Sequence, residues 1–143
     1  MNTRKVTQSQ LEDIKVSLKL KLATLWASLM FLIIYLDYFH LYMPNMIADI
    51  MKERVFLFDI TQGFLLVAFV LVGTPALMIF LSVALPARVN RRANIIIAAM
   101  NIPFILFNLA GEAWVHMIFG AVVEVALLCL IIRYAWKWPR IGV

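Results

Sequence analysis

At 143 residues, 64% of them apolar and only 15% charged, this chain lacks the polar faces that a soluble domain turns to water. Its length allows one domain and its apolar runs consume most of it, which excludes a separate soluble module. The formal net charge of +5 would suit a nucleic-acid binder, but the basic residues collect at the ends of apolar runs, so no nucleic-acid partner is expected.

Four runs carry the reading: Leu22–Met43, Ile60–Leu85, Ala93–Ala110 and Ala113–Ala135. At about 1.5 Å per residue each gives roughly 27–39 Å of helix, against a hydrocarbon core of about 30 Å. The predicted fold is an all-α, integral membrane four-helix bundle, a single membrane domain over residues 1–143. Ahead of the first run, Ser9-Gln10-Leu11-Glu12 matches a capping box and predicts a helix from near Gln10 into span one. Continuous, it would reach about 50 Å, so its first turns should protrude or bend along the inner interface. Ile14, Val16, Leu18, Leu20 and Leu22 alternate like a strand, but a lone strand leading into a bilayer would leave its backbone unpaired. A cleavable signal sequence is not expected, because the run follows a 21-residue polar lead and no small-x-small site follows it.

Tyr35, Tyr38 and Tyr42 mark the outer end of span one, and Pro44 stops it. Ile47, Ile50, Met51 and Phe58 then recur at helical spacing against Asp49, Lys52 and Glu53, which predicts a short helix on the outer surface. In Asp59-Ile60-Thr61-Gln62, Asp59 is the predicted N-cap of span two, with Gln62 reaching back. Pro75 should kink that span and free the carbonyl of Leu71. Pro86 ends it. Span three is expected to begin near Asn90 and bend at Pro103. Gly111 permits a tight turn into span four, which finishes at Trp136-Lys137-Trp138-Pro139.

Charge placement sets the expected topology. Of the 13 Lys and Arg residues only Lys52 and Arg54 lie in the loop of residues 44–59; the other eleven flank the opposite ends of the spans. Loops rich in Lys and Arg stay cytoplasmic, so a multi-pass protein of the cell membrane with both termini cytoplasmic is expected. The basic ends should meet anionic headgroups at the inner face of the bilayer. A homo-oligomer is one assembly such spans allow. Cys129 is the only cysteine, so neither a disulfide framework nor a dithiol redox site is available within one chain.

The sharpest internal pattern lies in span three. Asn90, Asn94, Asn101, Asn108 and Glu112 are spaced by 4, 7, 7 and 4 residues. At about 100° per residue they project within roughly 40° of one another. Such an edge must face protein or water, as helix glue or as the wall of a hydrated path. Glu124 falls near the middle of span four and Asp37 about 10 Å from the outer end of span one. A carboxylate near the bilayer centre costs on the order of 2.5–3.5 kcal/mol, so Glu124 is expected to be protonated or held by hydrogen bonds. Glu124 and Asp37 are the candidate proton or cation site. His40 and His116 lie toward the outer ends of spans one and four and could join Asp37, Glu112 and Glu124 around a metal, or clamp a haem. Interfacial histidine is the ordinary alternative, and the expectation is no cofactor. Five glycines scattered singly make neither a P-loop nor a dinucleotide turn.

Tyr35-Leu36-Asp37-Tyr38-Phe39, Thr61-Gln62, and Pro75 with Phe80-Leu81-Ser82 form an ordered set with Val89-Asn90-Arg91 and Asn94-Ile95-Ile96. Val123-Glu124 and Tyr134-Ala135-Trp136-Lys137-Trp138-Pro139 complete it. Together they resemble the small prokaryotic membrane family catalogued as domain of unknown function 6326, over about Leu11 to Pro139. The resemblance implies a four-helix membrane protein without an established activity, and no catalytic residue. Asn45 departs from it, standing where the family pattern has Pro-Gly.

Three functions follow as expectations. The concrete mechanism is proton- or cation-linked movement of a small solute, with Glu124 exchanging the proton or cation and Asn101 and Asn108 hydrating the path. The alternative is a non-catalytic structural or accessory membrane subunit. The third is outer-leaflet binding of a metal or haem. An enzyme is not expected.

Overall fold

A computed structural model describes residues 14–110 and 113–139. Four long helices, α1 (Leu18–His40), α3 (Gln62–Ala84), α4 (Ala87–Asn108) and α5 (Val115–Trp136), stand side by side. Between α1 and α3 lie a six-residue helix, α2 (Met46–Met51), and a small antiparallel hairpin, β1 (Arg54–Val55) with β2 (Phe58–Asp59). α1 packs on α3 and α5, while α4 packs extensively on α5 and less on α3. Three of these helices, α1, α3 and α5, are long and apolar enough to cross a membrane. α4 matches them in length but carries Arg88, Arg91, Arg92 and four asparagines.

Local chemistry accounts for the ends of each helix. α1 starts at Leu18, where the Ser17 hydroxyl accepts from the Leu20 N–H at 3.3 Å, satisfying a donor that has no partner within the helix. This corrects the helix expected from near Gln10, because residues 14–17 are not helical; the capping box itself lies outside the described residues. α1 ends at His40, one turn before the predicted Met43. Asn45 then takes the left-handed conformation with φ 68°. Glycine adopts that conformation freely and asparagine more readily than most residues, so Asn45 suits this turn.

Two further expectations are corrected. Phe58 lies in β2 and not on a helix with Ile47 and Ile50, because the chain reverses at Phe56-Leu57. Asp59 does not cap α3. It pairs with Arg54 at 3.3 Å across the hairpin, and Thr61 caps instead, accepting from the Phe64 N–H at 3.1 Å. Pro75 sits inside an α3 that runs unbroken from Gln62 to Ala84. Pro86 separates α3 from α4, which begins at Ala87, a turn earlier than expected. Gly111 and its turn lie outside the described residues.

One end of the assembly is basic. There the start of α1 meets the end of α3, with Lys19 Nζ donating to the carbonyls of Val83 (3.0 Å) and Leu85 (2.7 Å). The start of α4 meets the end of α5, where Arg91 Nε donates to the Ala135 carbonyl at 3.2 Å and lies over the Trp136 ring. Lys19 satisfies carbonyls at the end of α3, Arg91 adds a second donor to a carbonyl that also accepts from the Trp138 N–H at 3.3 Å, and each positive charge is favoured by the helix dipole there. The core runs from this end upward through Leu22, Trp26, Leu29, Met78, Leu128 and Ile131, all fully buried. Outward-facing surface is as apolar as the core: Leu66, Phe69, Leu77, Phe80, Phe119 and Val122 are each more than 60% exposed. Such a surface has lipid as its natural solvent.

Candidate functional site

Polar side chains gather in two places, one above the other. In the basic half, α4 presents Asn90 and Asn94 one turn apart, both fully buried. Asn94 Oδ1 accepts from Trp26 Nε1 of α1 at 2.7 Å and from Ser82 Oγ of α3 at 3.3 Å. Its amide group donates to the Asn90 carbonyl (2.9 Å) and to Asn90 Oδ1 (2.6 Å). The Asn90 amide group in turn donates to the Ser82 carbonyl at 2.5 Å. Three helices are joined through one asparagine. Every donor named here has an acceptor, as burial demands.

The polar edge does not continue as a single contact surface. Asn101 is buried, but its amide group donates to the Ile97 carbonyl of its own helix at 2.8 Å. Asn108, at the last residue of α4, is exposed. Glu112 lies outside the described residues. Helical spacing put these side chains on one edge, and the neighbours of that edge change along its length. Trp26, Ser82 and Lys19 were not singled out from sequence. Trp26 sits mid-helix, away from the interfaces where Trp usually collects, which is the signal that could have marked it.

The second cluster occupies the other half, between α1 and α5. His116, Gly120 and Glu124 follow at four-residue intervals along α5, and so share one face. A Cβ at Gly120 would collide with the Leu36 side chain, so this glycine lets α1 and α5 approach closely. Glu124 lies at the middle of α5 and is only 5% exposed. It joins neither of the two ion pairs found among the described residues, both of which sit in the α2–hairpin segment. Asp37 is on the last turn of α1 and exposed, nearer the helix end than expected because α1 stops at His40. The carboxyl groups of Asp37 and Glu124 are close enough to feel one another's charge, and His40 is similarly close to Asp37. His116 Nε2 is buried with no hydrogen-bond partner among the described residues. It borders a crevice of about 220 Å³ between the two helices, walled by Leu32, Leu36, Phe39, Phe119 and Val123. Among the described residues no three of His, Cys, Asp and Glu converge as metal ligands.

Among the described residues the arrangement shows no nucleophile hydrogen-bonded to a base and no phosphate cradle. What it offers chemically is a buried carboxyl group on α5, an exposed one on α1, and an apolar crevice with a histidine at its side.

Residues 12–142 match the model of a family of unknown function, DUF6326, and the chain belongs to that family. No curated protein and no solved structure matches the chain.

Proposed function

We propose that this protein is a four-helix membrane bundle, both termini cytoplasmic, that serves as a non-catalytic structural or accessory membrane subunit. The spanning role of α4 follows from its partners. Its Arg91 sits against the end of α5, and it packs extensively on that helix, which has the same length of 22 residues. If α5 crosses the bilayer, so does α4. Its buried asparagines are then tolerated because they bond to protein. Lys19, Arg91, Arg133 and Lys137 fall at one end, which is the cytoplasmic one by the positive-inside rule and the end that meets anionic headgroups.

The observation that carries the scaffold reading is the use made of the Asn90–Asn94 pair. Its amides are committed to Trp26 and Ser82, tying α1, α3 and α4 together where a hydrated path would need free polar groups. The test is copurification from native membranes with mild detergent: a scaffold recovers a defined oligomer or a fixed partner, and a monodisperse monomer with solute flux in liposomes refutes it.

A second reading rests on Glu124. A buried carboxyl group outside both ion pairs found among the described residues, with Asp37 nearby, suits proton- or cation-linked movement of a small solute. Under that reading Glu124→Gln abolishes pH-dependent flux in liposomes while leaving the fold intact, since the amide keeps the shape and releases no proton. Flux that persists in a folded Gln variant sinks it. His40 and His116 offer a third role, metal or haem binding, which elemental analysis and a visible spectrum of the purified protein decide at once.

A further inference from the structure

The segment between α1 and α3 carries apolar side chains that nothing among the described residues covers. Leu57 and Met51 are 83% and 81% exposed, and Phe56 is 47% exposed. Two of these three form the tip of the hairpin. Phe56 holds φ at 55°, the left-handed region that a bulky residue rarely occupies and that glycine or asparagine fills in most such turns. The charges on the two strands, by contrast, answer one another: Arg54 pairs with Asp59.

We propose that the hairpin tip, Phe56-Leu57 with Met51 of α2, is a wedge that inserts into the lipid leaflet at the end of the bundle opposite Lys19 and Arg91. Lipid is the occupant because the patch is continuous with surface that lipid already covers. Phe58 of β2 stacks on Phe64 in the first turn of α3, ring centroids 5.9 Å apart, which docks the hairpin on that helix. α3 is the least enclosed of the apolar helices, and beyond Phe64 its surface continues through the exposed Leu65, Leu66 and Phe69. The segment leaves α1 at His40 and enters α3 at Gln62, so both its attachments are at the membrane surface. Pairing the charges on the strands and leaving apolar residues at the tip is the pattern of an interfacial anchor.

The inference rests on α3 crossing the bilayer, and the experiment separates the two. In a Cys129→Ser background, which removes the single native thiol, nitroxide labels at Leu57→Cys, Glu53→Cys and Phe69→Cys are compared in phosphatidylcholine–phosphatidylglycerol vesicles. Collision with oxygen reports lipid, and collision with a neutral nickel chelate reports water. The wedge predicts an oxygen-to-chelate ratio at residue 57 several-fold above that at residue 53 and approaching that at residue 69. Residue 69 reading lipid while residue 57 matches residue 53 overturns the wedge and leaves the spanning helix intact. Residue 57 shielded from both reagents also overturns it, in favour of a protein partner or a second copy. Water contact at residue 69 overturns both.

Discussion

Asn94 accepts two buried donors from two other helices, so replacing it tests whether one amide holds the basic half of the molecule together. Asn94→Leu is near in size and leaves Trp26 Nε1 and Ser82 Oγ without their acceptor; both residues are fully buried. Cross-helix hydrogen bonds in membrane proteins average about 0.6 kcal/mol and reach about 1.7 kcal/mol. The serine hydroxyl can turn back to a carbonyl of its own helix, so it takes the lower figure. An indole N–H has no such escape and takes the upper. Buried Asn90 Oδ1 also loses the Asn94 amide as its donor, for about 0.5–1 kcal/mol more, so the expected loss is about 3 kcal/mol. Trp26→Phe loses the same bond and adds a small void, for about 2–3 kcal/mol. Because both changes remove one shared interaction, the double variant should fall short of their sum by about 1–1.5 kcal/mol. Unfolding in mixed micelles titrated with SDS and followed by circular dichroism gives all three values. Additivity within about 0.5 kcal/mol would refute the bond as a joint between α1 and α4. Asn101→Leu is the control. Its amide group bonds only its own helix, so its cost should stay under about 1 kcal/mol.

Reporter fusions should read external after Glu53 and cytoplasmic after Val89 and Val143; an internal signal after Glu53 would invert the orientation. Gly120→Ala should cost about 1–2 kcal/mol by pushing on Leu36, with most of it recovered in the Gly120→Ala, Leu36→Ala double variant; absence of recovery would mean the two helices do not touch there. Lys19→Met should cost about 1–2 kcal/mol because the last carbonyls of α3 lose a charged donor, while Lys15→Met, on the exposed lead, should change stability by less than about 0.5 kcal/mol. Equal effects would show that the α3 terminus is satisfied by other groups.

Apolar length and charge placement were legible from the sequence because the solvent selects for them residue by residue. A run of about twenty apolar residues needs lipid or a core whatever its neighbours are, and so α1, α3 and α5 were found within a few residues of their ends. The asparagine edge of α4 was legible for the same kind of reason, since angular position depends only on spacing. Capping was read less well. Asp59 has the chemistry of an N-cap, but Thr61 holds the position, and in the hairpin Arg54 had already claimed the Asp59 carboxylate. Competition among local partners is decided by geometry and leaves no mark on spacing. What only the tertiary structure decided was the fate of each polar group along one edge. Asn94 meets a tryptophan and a serine from other helices, Asn101 turns back on its own carbonyl, and Asn108 is left exposed. Periodicity names the face a side chain occupies. The partner across from it depends on which helix is adjacent and at what depth, and that is set by packing contacts from residues as distant as Trp26 and Asn94, 68 positions apart.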